Sequence, residues 1–118
     1  MEIRHIKTPS KVDWSAAPAI IEAACTELGL VQGLRGSLAK YPGAIHWHYK
    51  MPAQAGTLEI TVSESRHEIW ISVQSGRRAE WIPDKVAQIV AMVEARLGEI
   101  ECDIPKIDDI PVQEYRRF

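Results

Sequence analysis

His46-Trp47-His48 is the stretch of this chain with the clearest capacity for chemistry. On a β-strand alternate side chains share a face, so two histidines one residue apart point the same way. Two imidazoles side by side can share a metal ion, and Glu59 on a neighbouring strand would complete a two-histidine, one-carboxylate ligand set. The same residues suit acid–base work: His48 backed by Glu59, with Ser37 near His46, supplies the base, the orienting carboxylate and the hydroxyl of an acyl-transfer site. Against catalysis stands the expected setting, a flat and wet sheet face that screens charge and offers no pocket. On such a face His48 beside Glu59 is simply a favourable cross-strand pair, contributing roughly 0.2–1 kcal/mol.

Other chemical motifs are sparse. The chain has no Cys-x-x-Cys, no His-Glu-x-x-His, no acidic calcium loop and no glycine-rich phosphate loop after a strand, so no cofactor is expected. Arg77 and Arg78, in Ser75-Gly76-Arg77-Arg78 ahead of a helix start, form the one local basic turn and a candidate anion site. Cys25 and Cys102 do not make the dense framework of a small secreted domain, and Cys25 sits on an apolar helix stripe as a small buried hydrophobe.

The elements that position these residues follow from hydrophobic periodicity. Trp14, Ile21, Cys25 and Leu28 recur at helical spacing, with Asp13 as a cap acceptor, Pro18 as the mark of a later start and Gly29 as a left-handed stop. From Leu30 to Gln74 the period changes to two, which predicts four strands joined by short turns at Tyr41-Pro42-Gly43, Pro52 to Gly56 and Ser65-Arg66. Gly33 and Gly36 fall inside the first of these strands and mark a bulge or a close approach. Pro83-Asp84 opens a second helix whose stripe is Ile82, Val86, Ile89, Val90, Val93 and Leu97, predicted to end at Gly98. Glu2 to Lys7 supplies a possible extra N-terminal strand. The prolines at 105 and 111 predict an extended tail over residues 99–118, after a single domain over 1–98.

The turns set the pairing. A turn centred on Ser65-Arg66 pairs Val62 with Ile69, Ile60 with Ile71 and Leu58 with Val73; the second loop pairs Ile45 with Val62, Trp47 with Ile60 and Tyr49 with Leu58. Carried across the first hairpin, the same logic pairs Leu38 with Ile45 and Leu34 with Tyr49. One face is then apolar throughout and suits both helix stripes, giving an α+β fold with a four-stranded antiparallel meander and two helices packed on one face. The order of elements resembles that of helix-grip and TATA-binding-protein-like folds, a likeness of topology that implies no activity. The opposite face carries the rows Arg35, His48, Glu59, Ser72 and Ser37, His46, Thr61, Trp70. Trp70 is the one apolar residue there, and an indole on a polar face ordinarily finds another surface. Trp81 reads as a staple at the second helix entrance.

Length and charge narrow the functions. With 118 residues the chain is one domain, and 14 Lys+Arg against 16 Asp+Glu give a net charge of −2, leaving no cationic surplus for nucleic acid. The charged N-terminus lacks an apolar signal region and the most apolar helix is too short for a bilayer, which predicts a cytoplasmic protein with no membrane contact. The leading reading is a non-enzymatic protein-binding or self-assembly domain, a homodimer or a partner's seat, working through Trp70, His46, His48 and Thr61. The first alternative is a small-molecule pocket between the long helix and the sheet lined by Trp47, Tyr49 and Val93. The second is a metal-dependent enzyme built on His46, His48 and Glu59.

Overall fold

In the computed structural model, the structure describes the backbone of residues 1–109 and the side chains of residues 1–98. Chain order is β1 (Glu2–Ile6), α1 (Ala17–Glu27), β2 (Val31–Leu38), β3 (Tyr41–Lys50), β4 (Leu58–Ser63), β5 (Glu68–Val73), a 3₁₀ turn (Ser75–Arg77) and α2 (Ile82–Asp109). The strands form one antiparallel sheet in the order β1-β5-β4-β3-β2. This is the expected α+β arrangement, with the N-terminal strand present as a fifth member. Because β1 and β2 occupy opposite edges, α1 must cross the whole sheet between them.

Both helices use that crossing to bury one face. Ile21, Ala24 and Cys25 of α1 and Ile89, Val90, Val93 and Leu97 of α2 join Trp47, Leu58, Ile60, Ile69 and Ile71 of the strands in a single core. Burial raises the Cys25 thiol to about 12, so Cys25 is an inert hydrophobe as its stripe position implies. α1 begins at Ala17 with Pro18 in its first turn, the later of the two starts. Asp13 instead closes the preceding turn by accepting from the Ser15 N–H at 3.1 Å. Gly29 has φ +81°, and the Leu30 N–H donates to the Cys25 carbonyl at 3.0 Å, the Schellman closure that only a residue free to adopt positive φ completes cheaply.

The register agrees with the turn argument over three strands and departs from it at the fourth. Ile45↔Val62, Trp47↔Ile60 and Tyr49↔Leu58 pair as expected, as do Ile60↔Ile71 and Val62↔Ile69. The β4–β5 loop spans Glu64 to His67 between the Ser63↔Glu68 pair; it is centred on Ser65-Arg66, so the register is unchanged. On β2 the pairing is shifted at two places, between Gln32 and Leu34 and between Gly36 and Leu38. At the first, Gly33 is an extra residue on β2; at the second the surplus is on β3, where residues 42–45 face Ser37 alone, and each irregularity slides the ladder. Leu34 therefore lies opposite His48, and Arg35 opposite Trp47, which reverses the faces expected for both. Leu38 pairs with Tyr41 rather than with Ile45.

α2 runs past Gly98 to Asp109, where the sequence predicts an extended segment. A glycine inside a packed helix costs only about 1 kcal/mol relative to alanine, so it does not end a helix whose preceding turns are held by the core. Of the expected tail, residues 110–118 lie outside those described. Among the described residues no helix is long and apolar enough to cross a membrane.

Candidate functional site

The face of the sheet away from the helices carries Leu34, His48, Glu59, Ser72 and Ile3 in one row, and Gly36, His46, Thr61, Trp70 and His5 in the next. It is far drier than a bare sheet face. Glu59, Thr61 and Ser63, the outward residues of β4, are all buried, and so are His46 and Ser72. The cover comes from long side chains on neighbouring strands. Trp70, expected as an exposed anchor, is only 9% exposed: the Tyr41 ring meets it edge-on at 5.2 Å and the His5 ring lies 6.2 Å away on its other side. Arg66 in turn lies over Tyr41, at 5.3 Å. Tyr41 was hidden from the sequence argument because Tyr-Pro-Gly reads as a turn, whereas the chain turns earlier, at Ala39-Lys40, and Tyr41 opens β3.

Within this dry patch His46, His48 and Glu59 converge as their alternation predicts. His46 Nε2 is 3.1 Å and His48 Nε2 3.9 Å from the same carboxylate oxygen, Oε1 of Glu59, and the two imidazoles meet edge-on with centroids 5.0 Å apart. One ligand atom from each of the three residues lies within 4.8 Å of the others. Two ligands bound at about 2.1 Å to one tetrahedral ion stand roughly 3.4 Å apart, so the observed spacings bracket what a shared ion requires. His46 Nδ1 is 2.8 Å from the Thr61 hydroxyl. That hydroxyl can accept from Nδ1–H, which frees Nε2 for a metal, or donate to Nδ1, which leaves Nε2–H to donate to Glu59. Burial lowers the pKa of His46, with Glu59 opposing and His48 adding to the shift, so desolvation favours the neutral imidazole that a metal needs.

The basic turn contributes one arginine, not two. Arg77 Nη1 lies 3.6 Å from Oε2 of Glu59, the oxygen turned away from the histidines, while Arg78 pairs with Glu2 at 3.4 Å. Arg77 is held there by its backbone: its carbonyl accepts from the Thr57 N–H at 3.1 Å. The β3–β4 loop is locked to this turn by Trp81, whose indole N–H donates to the Ala55 carbonyl at 2.8 Å. Gly56, at φ +103°, completes the lock, since a Cβ there would stand 2.6 Å from the Ala79 methyl. Trp81, expected to staple the helix entrance, packs against the core there and also ties down the β3–β4 loop, and the register of the turn against β4 is what aims Arg77.

A groove opens over the cluster between β2 and the 3₁₀ turn. It consists of two clefts of about 390 and 630 Å³ that share Leu34, His48, Gly76 and Arg77. Lys50 lines the first, and His46, Glu59 and Ser37 line the second. Where the three ligands meet, the expected flat face is a shallow cleft open to solvent. The residues considered for a pocket on the helix side, Trp47, Tyr49 and Val93, are instead packed into the core. Trp47 donates its indole N–H to Glu22 at 2.9 Å, and Arg35 reaches the same carboxylate at 2.7 Å.

Among the described residues the fold and the site together define two helices and a five-stranded antiparallel sheet with a His–Glu–His cluster on its helix-free face. No protein family, curated protein or solved structure matches the chain.

Proposed function

We propose that this protein is a small cytoplasmic binding domain whose working surface is the helix-free face, where His46, His48 and Glu59 hold a divalent transition-metal ion. The observation that carries the reading is the convergence of three ligand atoms on a carboxylate that is itself 9% exposed. A buried charge is expensive, by several kcal/mol even after relaxation, and a solvated face gives no reason to place one on the central strand. Thr61 orients His46 from behind, the outer partner that metal-binding histidines regularly use. Two nitrogens and one oxygen suit zinc, iron, cobalt or nickel rather than calcium or magnesium. Titration of untagged, chelator-treated protein with Zn²⁺ should show one equivalent bound, retained by His67→Ala and lost by His46→Ala. Binding unaffected by His46→Ala would refute the assignment.

A second reading is favoured by exposed apolar residues on the same face. Val31 and Leu34 of β2 are about half exposed, Leu34 at the rim of the groove, which supports a protein partner or a second copy seated on β2. In this reading the contact is made by Leu34 and not by the covered Trp70. Light scattering of wild type and Leu34→Lys tests the second-copy form: a dimer in the first and a monomer in the second supports it, and two monomers refute it.

A further inference from the structure

We infer that the metal ion completes its coordination with a small oxyanion, a carboxylate or phosphate group, seated in the groove with Arg77 and Lys50 as its counter-charges. The inference rests on the metal reading of His46, His48 and Glu59 and names the ligand of that same site. Three protein ligands leave at least one position open on any ion that the set accommodates. That position faces the groove, because the ligands rise from the sheet and the groove is the recess above them.

Charge decides what enters. Of the residues lining the two clefts, Glu59 is the sole acid, while Lys50 and Arg77 are both cations. With a divalent ion in place, positive charge clearly exceeds negative, and a neutral or cationic guest would leave it uncompensated in a partly desolvated recess. An anion bound to the ion satisfies both the open position and the two side chains. Arg77 suits the role by shape as well as charge, since its planar fork matches the geometry of carboxylate and phosphate oxygens. It is also aimed by the backbone bond from Thr57 and by the Trp81 lock, which limits the freedom lost on binding. Its side chain is half exposed and lies 3.6 Å from Oε2 of Glu59, so one edge of the guanidinium stays on the carboxylate while the rest faces the cleft. The rim is apolar at Leu34, which fits a guest with a small hydrocarbon part beside its charged end.

Arg77 acts in opposite senses on the two ligands. A fixed cation near the ion repels it and attracts the anion, so removing it should tighten or leave unchanged the metal while weakening the oxyanion. A residue that merely supported the fold would weaken both.

The test uses the full chain loaded with Co²⁺, whose visible absorption reports its ligands. Addition of acetate or of inorganic phosphate should shift the bands saturably with the ion still bound after gel filtration, and the tighter of the two identifies the class of guest. In Arg77→Gln the affinity for that anion should fall about tenfold, with Co²⁺ affinity equal or higher, and Arg77→Lys should restore part of the loss. Co²⁺-loaded protein whose spectrum responds to neither anion overturns the inference and leaves the metal reading standing. Protein that takes up no Co²⁺ overturns both. A variant that loses Co²⁺ and anion together overturns the role of Arg77.

Discussion

The two faces of β4 are equally dry for different reasons. Leu58, Ile60 and Val62 are part of the core shared with α1 and α2, whereas Glu59, Thr61 and Ser63 are buried on the helix-free face, Glu59 beside His46, His48 and Arg77 and Thr61 against His46. The first arrangement removes apolar surface from water, which stabilises the fold by about 25 cal/mol per Å². The second removes polar surface, which stabilises little even when every group is paired and costs free energy when one is not. The difference teaches which side stabilises the fold and which side needs another reason for its burial, the one the proposed binding role supplies. It also shows how a sheet face without a covering layer is kept partly dry, by Tyr41 and His5 against Trp70 and by Arg77 beside Glu59.

The largest effects should fall on the helix side. Ile60→Ala removes a fully buried side chain and should cost about 4 kcal/mol in urea denaturation, with metal binding retained in the fraction still folded. Trp70→Ala removes the covered indole of the other face and should cost about 3 kcal/mol. A change below about 0.5 kcal/mol, the size expected of an ordinary surface substitution, would mean that the indole is not covered and would return it to the role of an exposed anchor. Gly56→Ala should cost about 1–2 kcal/mol, since a Cβ meets Ala79 and the backbone is at positive φ. Its sharper reading is the anion: because the same turn aims Arg77, oxyanion affinity should weaken in Gly56→Ala while metal affinity stays near wild type.

Much of this was legible from side-chain alternation. From Ile45 to Val73 apolar and polar residues alternate cleanly around short turns, so the register of β3, β4 and β5 and the meeting of His46, His48 and Glu59 follow from period two. β2 was not legible, because two irregularities, one on β2 at Gly33 and one on β3 between Tyr41 and His46, shift its ladder, and glycine has no side chain to show which face it belongs to. That slip exchanged Leu34 and Arg35 between faces. The burial of Trp70 depends on His5 and Tyr41, one on a strand of poor alternation and one inside a turn signal, and neither advertises a long-range contact. Arg77 and Arg78 are neighbours of identical type; only the 3₁₀ turn and its closure on Thr57 separate the one that reaches Glu59 from the one that pairs with Glu2. The end of α2 was misplaced because a glycine weakens a helix without having to stop it.

Glu59→Gln separates the two faces most directly. The substitution keeps the shape of the side chain and removes the charge that both histidines and Arg77 approach. Measured without metal, the variant should unfold within about 1 kcal/mol of wild type, because neutralising the carboxylate relieves its desolvation and the cation it leaves, Arg77, is half exposed and not buried unpaired. With free Zn²⁺ at a hundred times the dissociation constant, wild type should gain about 2.7 kcal/mol and Glu59→Gln should gain none. A variant stabilised by Zn²⁺ as much as wild type, or a wild type that gains nothing, would contradict the account.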